Sequence, residues 1–421
     1  MDELAPNFNY PAIFYYSATD KCSTNDISLR YKHLRNSLSK VLTSFHPLAG
    51  RYRVDSHSVD CCDQGVLFVE ARVDIRVDDL VRQRMNVKPQ LLNVLLPCPI
   101  GAIDGYDDPL LALQMSAFSC GGFAIAVCSS HRIVDIISTM SFMMAWAVAA
   151  KQELGYVDIT YQPNPINFDS ASLFPGKMLS CFPSGILRDD KNIDGLNIVT
   201  KMFYFNKNKI ASIRERARLD KSSKRPTMAQ SIFGLIGKAI IDVHVANPNN
   251  PKSYTIVQAV NMRNKTVPPL PDNLFGNIFL IAGVQSEVGP ERVVELPSFV
   301  DCLSNSVNGV VDTCKTVLTL GKEGQTKISH RSSEMRKSRM DPNIYFAGTF
   351  TSWCNFPFYQ VADFGWGKPI WVGLSNILMK NTVLLLDDKS GEGIEAWVCL
   401  DENDMQKFTQ HSDIAEILSK L

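Results

Sequence analysis

The pattern of hydrophobic and polar positions is densest between residues 110 and 146. There Leu111 to Phe118 and Phe123 to Cys128 form two nearly continuous apolar runs, separated by Ser119, Cys120, Gly121 and Gly122. A glycine pair accommodates the positive φ of a tight reversal, so these runs are predicted to form an antiparallel hairpin. A polar step, Ser129-Ser130-His131, follows. Beyond it lies a helical stretch whose Met140, Phe142, Met143, Met144 and Trp146 make it apolar on most sides. Such a helix belongs in an interior, and its methionines are assigned to core packing rather than to a ligand-binding stripe. If the helical spacing starts at His131, then Asp135, four residues on, shares its face.

Upstream, residues 11–17 read as a strand and 28–43 as a helix with apolar positions at 29, 34, 38, 41 and 42. RYRVDS and VLFVEARV (66–73), on either side of the 61–65 turn, carry strand and hairpin signatures, and 74–85 turns helical. Prolines 89, 97, 99 and 109 then mark loops. Residues 161–195 are rich in proline and glycine with weak periodicity, which makes this segment a crossover or linker.

The second half alternates in the same way. A strand over 198–205 and a helix with Ile210 and Ile213 precede the buried helix that follows Pro226-Thr227. Next come a strand over 254–262 and the turn-rich loop PPLPDNLFGN (268–277), which delivers the strand IFLIAG. A helix is predicted within 295–318, then a mixed region to Asp341, and finally the hairpin of TVLLLDD and IEAWVCL before a helix capped by residues 401–404. The pattern predicts an α/β protein with domains at 1–175 and 198–421, joined by a crossover at 176–197.

Composition bears this out at 421 residues with 45% hydrophobic and 20% charged content, enough for two cores. Lys plus Arg (43) balances Asp plus Glu (43), so net charge gives no reason to expect nucleic acid or an anionic membrane as partner. Eleven cysteines, an odd number dispersed along the chain, suggest reduced and mostly buried thiols. The acidic N-terminal stretch does not read as a secretion signal, and no membrane span is predicted, so the expected location is cytoplasmic. The final Ser419, Lys420 and Leu421 match a peroxisomal address, which makes the peroxisome the alternative.

Candidate chemistry narrows to one histidine. No histidine, cysteine or carboxylate set has metal-site spacing, so no metal is expected. Nucleotide-binding glycine motifs and the G-x-S-x-G elbow are absent. His33, His244 and His411 lie on amphipathic helical stretches, His46 follows a helix end, His57 has no spaced partner and His330 sits among charges. His131 closes a buried strand and could take a proton from an attacking hydroxyl. Spacing alone leaves it open between that role and a structural one.

A second motif bears on that choice. His131-Arg132-Ile133-Val134-Asp135 and, much later, Asp363-Phe364-Gly365-Trp366-Gly367 resemble the HxxxD and DFGWG signatures of the plant BAHD acyltransferases. LSKVLTSFHPLAGR, VLFVEARV, FSCGGFAIAVCSSH, QAVNMR and SWCNFPFYQVADFGWGKP extend the likeness over nearly the whole chain, toward the family's alkaloid O-acetyltransferases in particular. The resemblance implies two chloramphenicol acetyltransferase-like domains with a channel at their interface, the first carrying HxxxD and the second DFGWG. It implies acetyl transfer from acetyl-CoA, as cosubstrate and not a resident cofactor, to a small-molecule alcohol by a monomeric enzyme. In that scheme His131 is the general base and no acyl-enzyme forms. Asp135 is a structural brace, Asp363 is structural with Arg263 as partner, and Gly365, Trp366 and Gly367 shape a turn; no residues are assigned to CoA binding.

Two departures stand out. The family follows HxxxD with glycine where this chain has Ile136, and relatives carry a longer N-terminus with an early strand. The alternatives are an amine acceptor, an aromatic acyl donor, or a catalytically weak relative that binds a small molecule or a protein partner.

Overall fold

The computed structural model describes residues 2, 5–6, 8–18, 24–99, 105, 107–158, 164–175, 197–220, 224–251, 253–288, 294–377 and 379–419. The expected crossover falls outside these except for Asn197, as do Lys420 and Leu421 of the terminal tripeptide. The chain runs β1 (Asn9–Tyr16), α1 (Thr24–Ser44), β2 (Arg51–Arg53), β3 (Ser58–Asp60), β4 (Leu67–Val73), α2 (Val77–Arg82), β5 (Leu111–Phe118), β6 (Phe123–Ser130), α3 (Ile136–Glu153) and α4 (Ser170–Leu173). It continues through β7 (Ile198–Phe205), α5 (Lys207–Arg216), α6 (Met228–Val245), β8 (Ser253–Asn261), β9 (Phe279–Glu287), α7 (Leu296–Val317), α8 (Lys322–Met340) and β10 (Ile344–Ser352). It ends with α9 (Phe358–Val361), β11 (Trp371–Gly373), β12 (Thr382–Asp387), β13 (Ile394–Asp401), α10 (Glu402–Gln410) and α11 (Ser412–Ser419).

These elements form two units, each with a mixed sheet flanked by helices, as the α/β reading expects. The first unit comprises Met1–Arg188, Asp272–Ile278 and Phe356–Asn376, and the second the rest of the chain. The split therefore differs from a contiguous C-terminal domain carrying DFGWG. β11, just beyond that motif, hydrogen-bonds to β1 with Trp371 opposite Tyr15, which draws residues 356–376 into the first unit.

In the first unit the sheet order is β11-β1-β6-β5-β4. β5 and β6 form the expected hairpin, with Ala117 opposite Phe123, while β4 runs parallel to β5. That last pairing corrects the hairpin reading of 51–73. β2 turns back at once onto β3, with Arg53 opposite Ser58 and its guanidinium on the Asp60 carboxylate, and β4 leaves for the main sheet. β1, β5 and β6 are buried along their whole length, which is why they read as unbroken apolar runs rather than alternating ones. Trp146 of α3 is fully buried, and its Nε1 donates to Leu34 O and Ser37 Oγ of α1, both at 3.1 Å. Met140 and Met143 are buried as core residues, whereas Met144 faces outward.

The second unit orders its sheet β7-β13-β12-β10-β8-β9, with β10 parallel to both neighbours. Ile232, Leu235, Ile236 and Ile240 of α6 pack in one core with Phe299 and Leu303 of α7 and Phe350 of β10. Among the described residues α6 is the one helix long and apolar enough to cross a membrane, and more than half of it is buried within the protein. The expected mixed region before Asp341 is instead the helix α8. Its sequence has no apolar stripe. Three anchors hold it: Ile328 is buried, Arg331 Nε donates to Ile281 O at 3.1 Å, and Met335 sits where a side chain on Gly283 would stand. All nine described cysteines are free thiols; Cys61, Cys62 and Cys302 are exposed and three are buried, fewer than expected.

Candidate active site

His131 sits one residue beyond β6 and continues its pairing, because His131 N donates to Phe8 O at 2.9 Å. The turn after it is tied back to the strand end by Ile133 N and Val134 N, both donating to Ser130 O at 3.3 Å. Residues 131–134 nevertheless lie outside α3, which begins at Ile136, contrary to the i, i+4 reading of His131 and Asp135. Asp135 is the N-cap of α3, with extended φ and ψ, and its side chain accepts from Ser138 N at 2.9 Å. The Ser130 carbonyl ties the turn and the cap stops the helix there. His131 thus lies before the first helical turn rather than on it. Ile136 is then the first helical residue in ordinary backbone, so its β-branched side chain meets no conformational demand that glycine would have answered.

The Asp135 carboxylate also reaches across the unit. Its Oδ2 accepts from Ile278 N at 3.0 Å. Beside this bond, Ser138 Oγ donates to Gly276 O at 3.1 Å and accepts from Gly276 N at 3.2 Å. Asp135 and Ser138 together clamp residues 276 and 278, which places Asn277 against His131.

Asn277 completes the arrangement. Its Nδ2 donates to His131 O and to Asp2 Oδ1, each at 2.8 Å, and its Oδ1 lies 3.0 Å from His131 Nδ1. A backbone carbonyl has no hydrogen to give and a carboxylate is an acceptor, so the amide nitrogen must face those two groups and the amide oxygen must face the ring. The short contact with Nδ1 then requires the hydrogen on Nδ1, which leaves the lone pair of neutral imidazole on Nε2.

The ring is half-buried, with Phe8 edge-on at 5.8 Å and Tyr10 edge-on at 4.9 Å between centroids. The Tyr10 hydroxyl is hydrogen-bonded to Thr139 Oγ1 at 2.6 Å. Burial lowers the His131 pKa below its ordinary 6.5, outweighing Asp135, Asn277 and Asp2, which favour the charged ring. Neutral at pH 7 and fixed in one tautomer, His131 can accept a proton at Nε2.

The DFGWG segment builds a different object in the same unit. Asp363 Oδ1 accepts from Gly365 N at 3.0 Å and from Gly367 N at 3.1 Å. Both glycines hold left-handed φ, 105° and 102°, which side chains rarely adopt. Phe364 is fully buried with its ring edge-on to Trp146 at 4.8 Å, and Trp366 stacks on it at 5.8 Å. The Arg30 guanidinium lies over Trp366 at 5.6 Å. Arg263 belongs to the second unit, where it is fully buried and its N donates to Asn261 Oδ1 at 3.1 Å.

Sequence reasoning singled out His131 and Asp135, which the structure brings together through the clamp, but missed Asn277 and Asp2. Asn277 ends the loop PPLPDNLFGN, where asparagine reads as turn chemistry. It lies 146 positions from His131, so no local spacing could reveal the pair. Among the described residues, no group of three or more histidine, cysteine or carboxylate side chains could hold a metal ion.

Comparison with known proteins agrees with the motifs. A model of the Transferase family matches residues 1–414. Vinorine synthase of Rauvolfia serpentina is 35% identical over 96% of this chain and 89% of its own length. Stemmadenine O-acetyltransferase of Catharanthus roseus is 34% identical over 99% of this chain and 91% of its own. The crystal structure of vinorine synthase matches with a TM-score of 0.75 at 32% identity, covering 99% of this chain and 91% of that one. The F. sporotrichioides TRI101 structure, complexed with coenzyme A and T-2, has the same TM-score of 0.75 at 16% identity, covering 98% of this chain and 97% of that one, and so shows the shared fold. With that family match and relatives of this identity along nearly its full length, the chain belongs to the transferase family of the plant BAHD acyltransferases and is an acyltransferase.

Proposed function

We propose that this protein transfers an acetyl group from acetyl-CoA to a hydroxyl of a plant specialised metabolite, with His131 as general base. The observation that carries the reading is the tautomer: Asn277 Oδ1 takes up the hydrogen on Nδ1, so Nε2 meets the acceptor hydroxyl as a base. As the hydroxyl oxygen attacks the thioester carbonyl carbon, its proton passes to Nε2. When the tetrahedral centre collapses, the C–S bond breaks and the imidazolium returns the proton to the departing thiolate. No acyl-enzyme and no metal enter this path, and the thioester supplies the driving force.

The supporting relatives include the stemmadenine O-acetyltransferase of Catharanthus roseus and a limonoid 21-O-acetyltransferase of Melia azedarach. An alkaloid or limonoid-like alcohol is accordingly the acceptor class to try first. Asp135, through the clamp on residues 276 and 278, serves as a brace for the base rather than as a proton relay. Asp363 and the glycines and tryptophan of its turn are structural support. The test is direct. Purified protein with acetyl-CoA and a panel of such alcohols is expected to release CoA thiol only when an acceptor is present, with the acceptor gaining one acetyl group by mass. Thiol release that is independent of acceptor, or none across the panel, overturns the reading.

A further inference from the structure

We propose that Asp2 is a positioning residue for the base, acting on His131 through Asn277 as a carboxylate–amide–imidazole chain; the inference rests on the base role proposed above. Asn277 donates to Asp2 Oδ1 twice, from N and from Nδ2, each at 2.8 Å. These bonds do two things. They fix the amide plane, because turning the amide over would set its oxygen against both Asp2 Oδ1 and His131 O. They also place a carboxylate one amide away from the imidazole, where negative charge favours the imidazolium that forms as the acceptor hydroxyl gives up its proton.

The surroundings leave this contribution room to act. The rings packed on His131 are Phe8 and Tyr10, neither of them charged, and Arg132 next to it is turned away over the Tyr52 ring at 4.4 Å. Among the described residues, Asp135 and Asp2 are carboxylates that bear on His131. Asp135 holds backbone amides at residues 138 and 278, whereas Asp2 holds the amide that touches the ring. Burial raises the Asp2 carboxyl above its ordinary range, partly offset by the Asn277 bonds.

The chain can be tested on the whole protein with 15N-labelled histidine, reading the His131 ring nitrogens by NMR across pH, which needs no turnover. In the wild type the neutral ring is expected to carry its hydrogen on Nδ1. Asp2→Asn keeps the size and removes the charge. It is expected to lower the His131 pKa, to move the acid limb of kcat/KM to lower pH, and to cut kcat about tenfold with KM unchanged, short of the roughly 10² to 10⁴ attributable to the base itself. Asp2→Glu is expected to restore the titration in part. In Asp2→Ala a population with the hydrogen on Nε2 is expected to emerge. Should Asp2→Ala fail to fold, Asp2→Asn decides alone. Ring tautomer and titration unchanged in the folded Asp2 variants would overturn the proposal. Absence of acyl transfer in the wild type would instead overturn the functional reading and leave the nitrogen spectra to decide the chain.

Discussion

One aspartate closes the first signature motif and another opens the second, and both accept hydrogen bonds from two backbone amides, yet they organise different things. Asp363 binds Gly365 N and Gly367 N, so its reach is four residues and its product is a local turn. Asp135 binds Ser138 N and Ile278 N, and its second bond spans 143 positions to the segment that presents Asn277. The same carboxylate chemistry is thus a turn-former in one motif and a tertiary clamp beside the base in the other. Sequence spacing makes the two motifs look alike. The distance along the chain of each second partner separates them.

The comparison yields a ranked set of expectations. His131→Ala is expected to lower kcat by about 10² to 10⁴ with the fold intact, since a positioned base contributes that much; steady-state rates on a folded variant check it. Asn277→Leu removes the acceptor for the Nδ1 hydrogen and leaves His131 O without its amide donor, and about 10² in kcat is expected, the low end of the base's worth. Histidine ring NMR should show the hydrogen redistributed between the two nitrogens, and an unchanged tautomer would detach Asn277 from the mechanism.

Asp135→Ala and Asp363→Ala form the decisive pair. Losing the Asp135 cap costs about 1 kcal/mol, and a buried Ile278 N–H left without a partner adds about 1–3 kcal/mol. A fall of about tenfold in kcat should accompany this, within what misplacing a catalytic group produces. Asp363→Ala, in a partly exposed turn, is expected to cost about 1–2 kcal/mol in urea unfolding and to leave kcat of the folded enzyme alone. Equal losses of kcat in the two variants would dissolve the distinction between clamp and turn.

The smallest expected effect concerns pH. Because burial holds the His131 pKa below 6.5, the acid limb of kcat/KM should fall below that value. For stability the sign is the same. Below 6.5 the unfolded chain binds a proton that native His131 refuses, so this contribution is complete above 6.5 and is lost as pH falls toward the folded pKa. In His131→Ala that part of the pH dependence of unfolding should vanish, which urea titrations at several pH values would reveal.

Much was legible in the residues alone. The unbroken apolar runs of β5 and β6, with Gly121 and Gly122 between them, announced the hairpin, and Trp146 and its neighbours announced a buried helix, because local pattern reports burial directly. The ordered pair of motifs named the family. Where a segment's partners lie far away, the same reasoning failed. β4 read as half of a hairpin because no local signal says that it pairs with β5 in parallel. α8 has no apolar stripe and owes its place to Ile328, Arg331 and Met335 meeting β9 and the core of its unit. The helix start at Ile136 rather than His131 depended on where the Ser130 carbonyl and the Asp135 carboxylate found their donors.

The candidate site divides along the same line. By itself the sequence determined that an imidazole stands at the end of a buried strand with a carboxylate four residues on. The family resemblance it carries implied, further, that the glycines around Trp366 shape a turn. Tertiary structure alone decided which ring nitrogen carries the hydrogen, because that depends on Asn277 being held against His131 by Asp135, Ser138 and Asp2. Hydrogen-bond donors and acceptors are fixed by residue type, but their pairing is fixed only when the folded chain brings distant segments within about 3 Å.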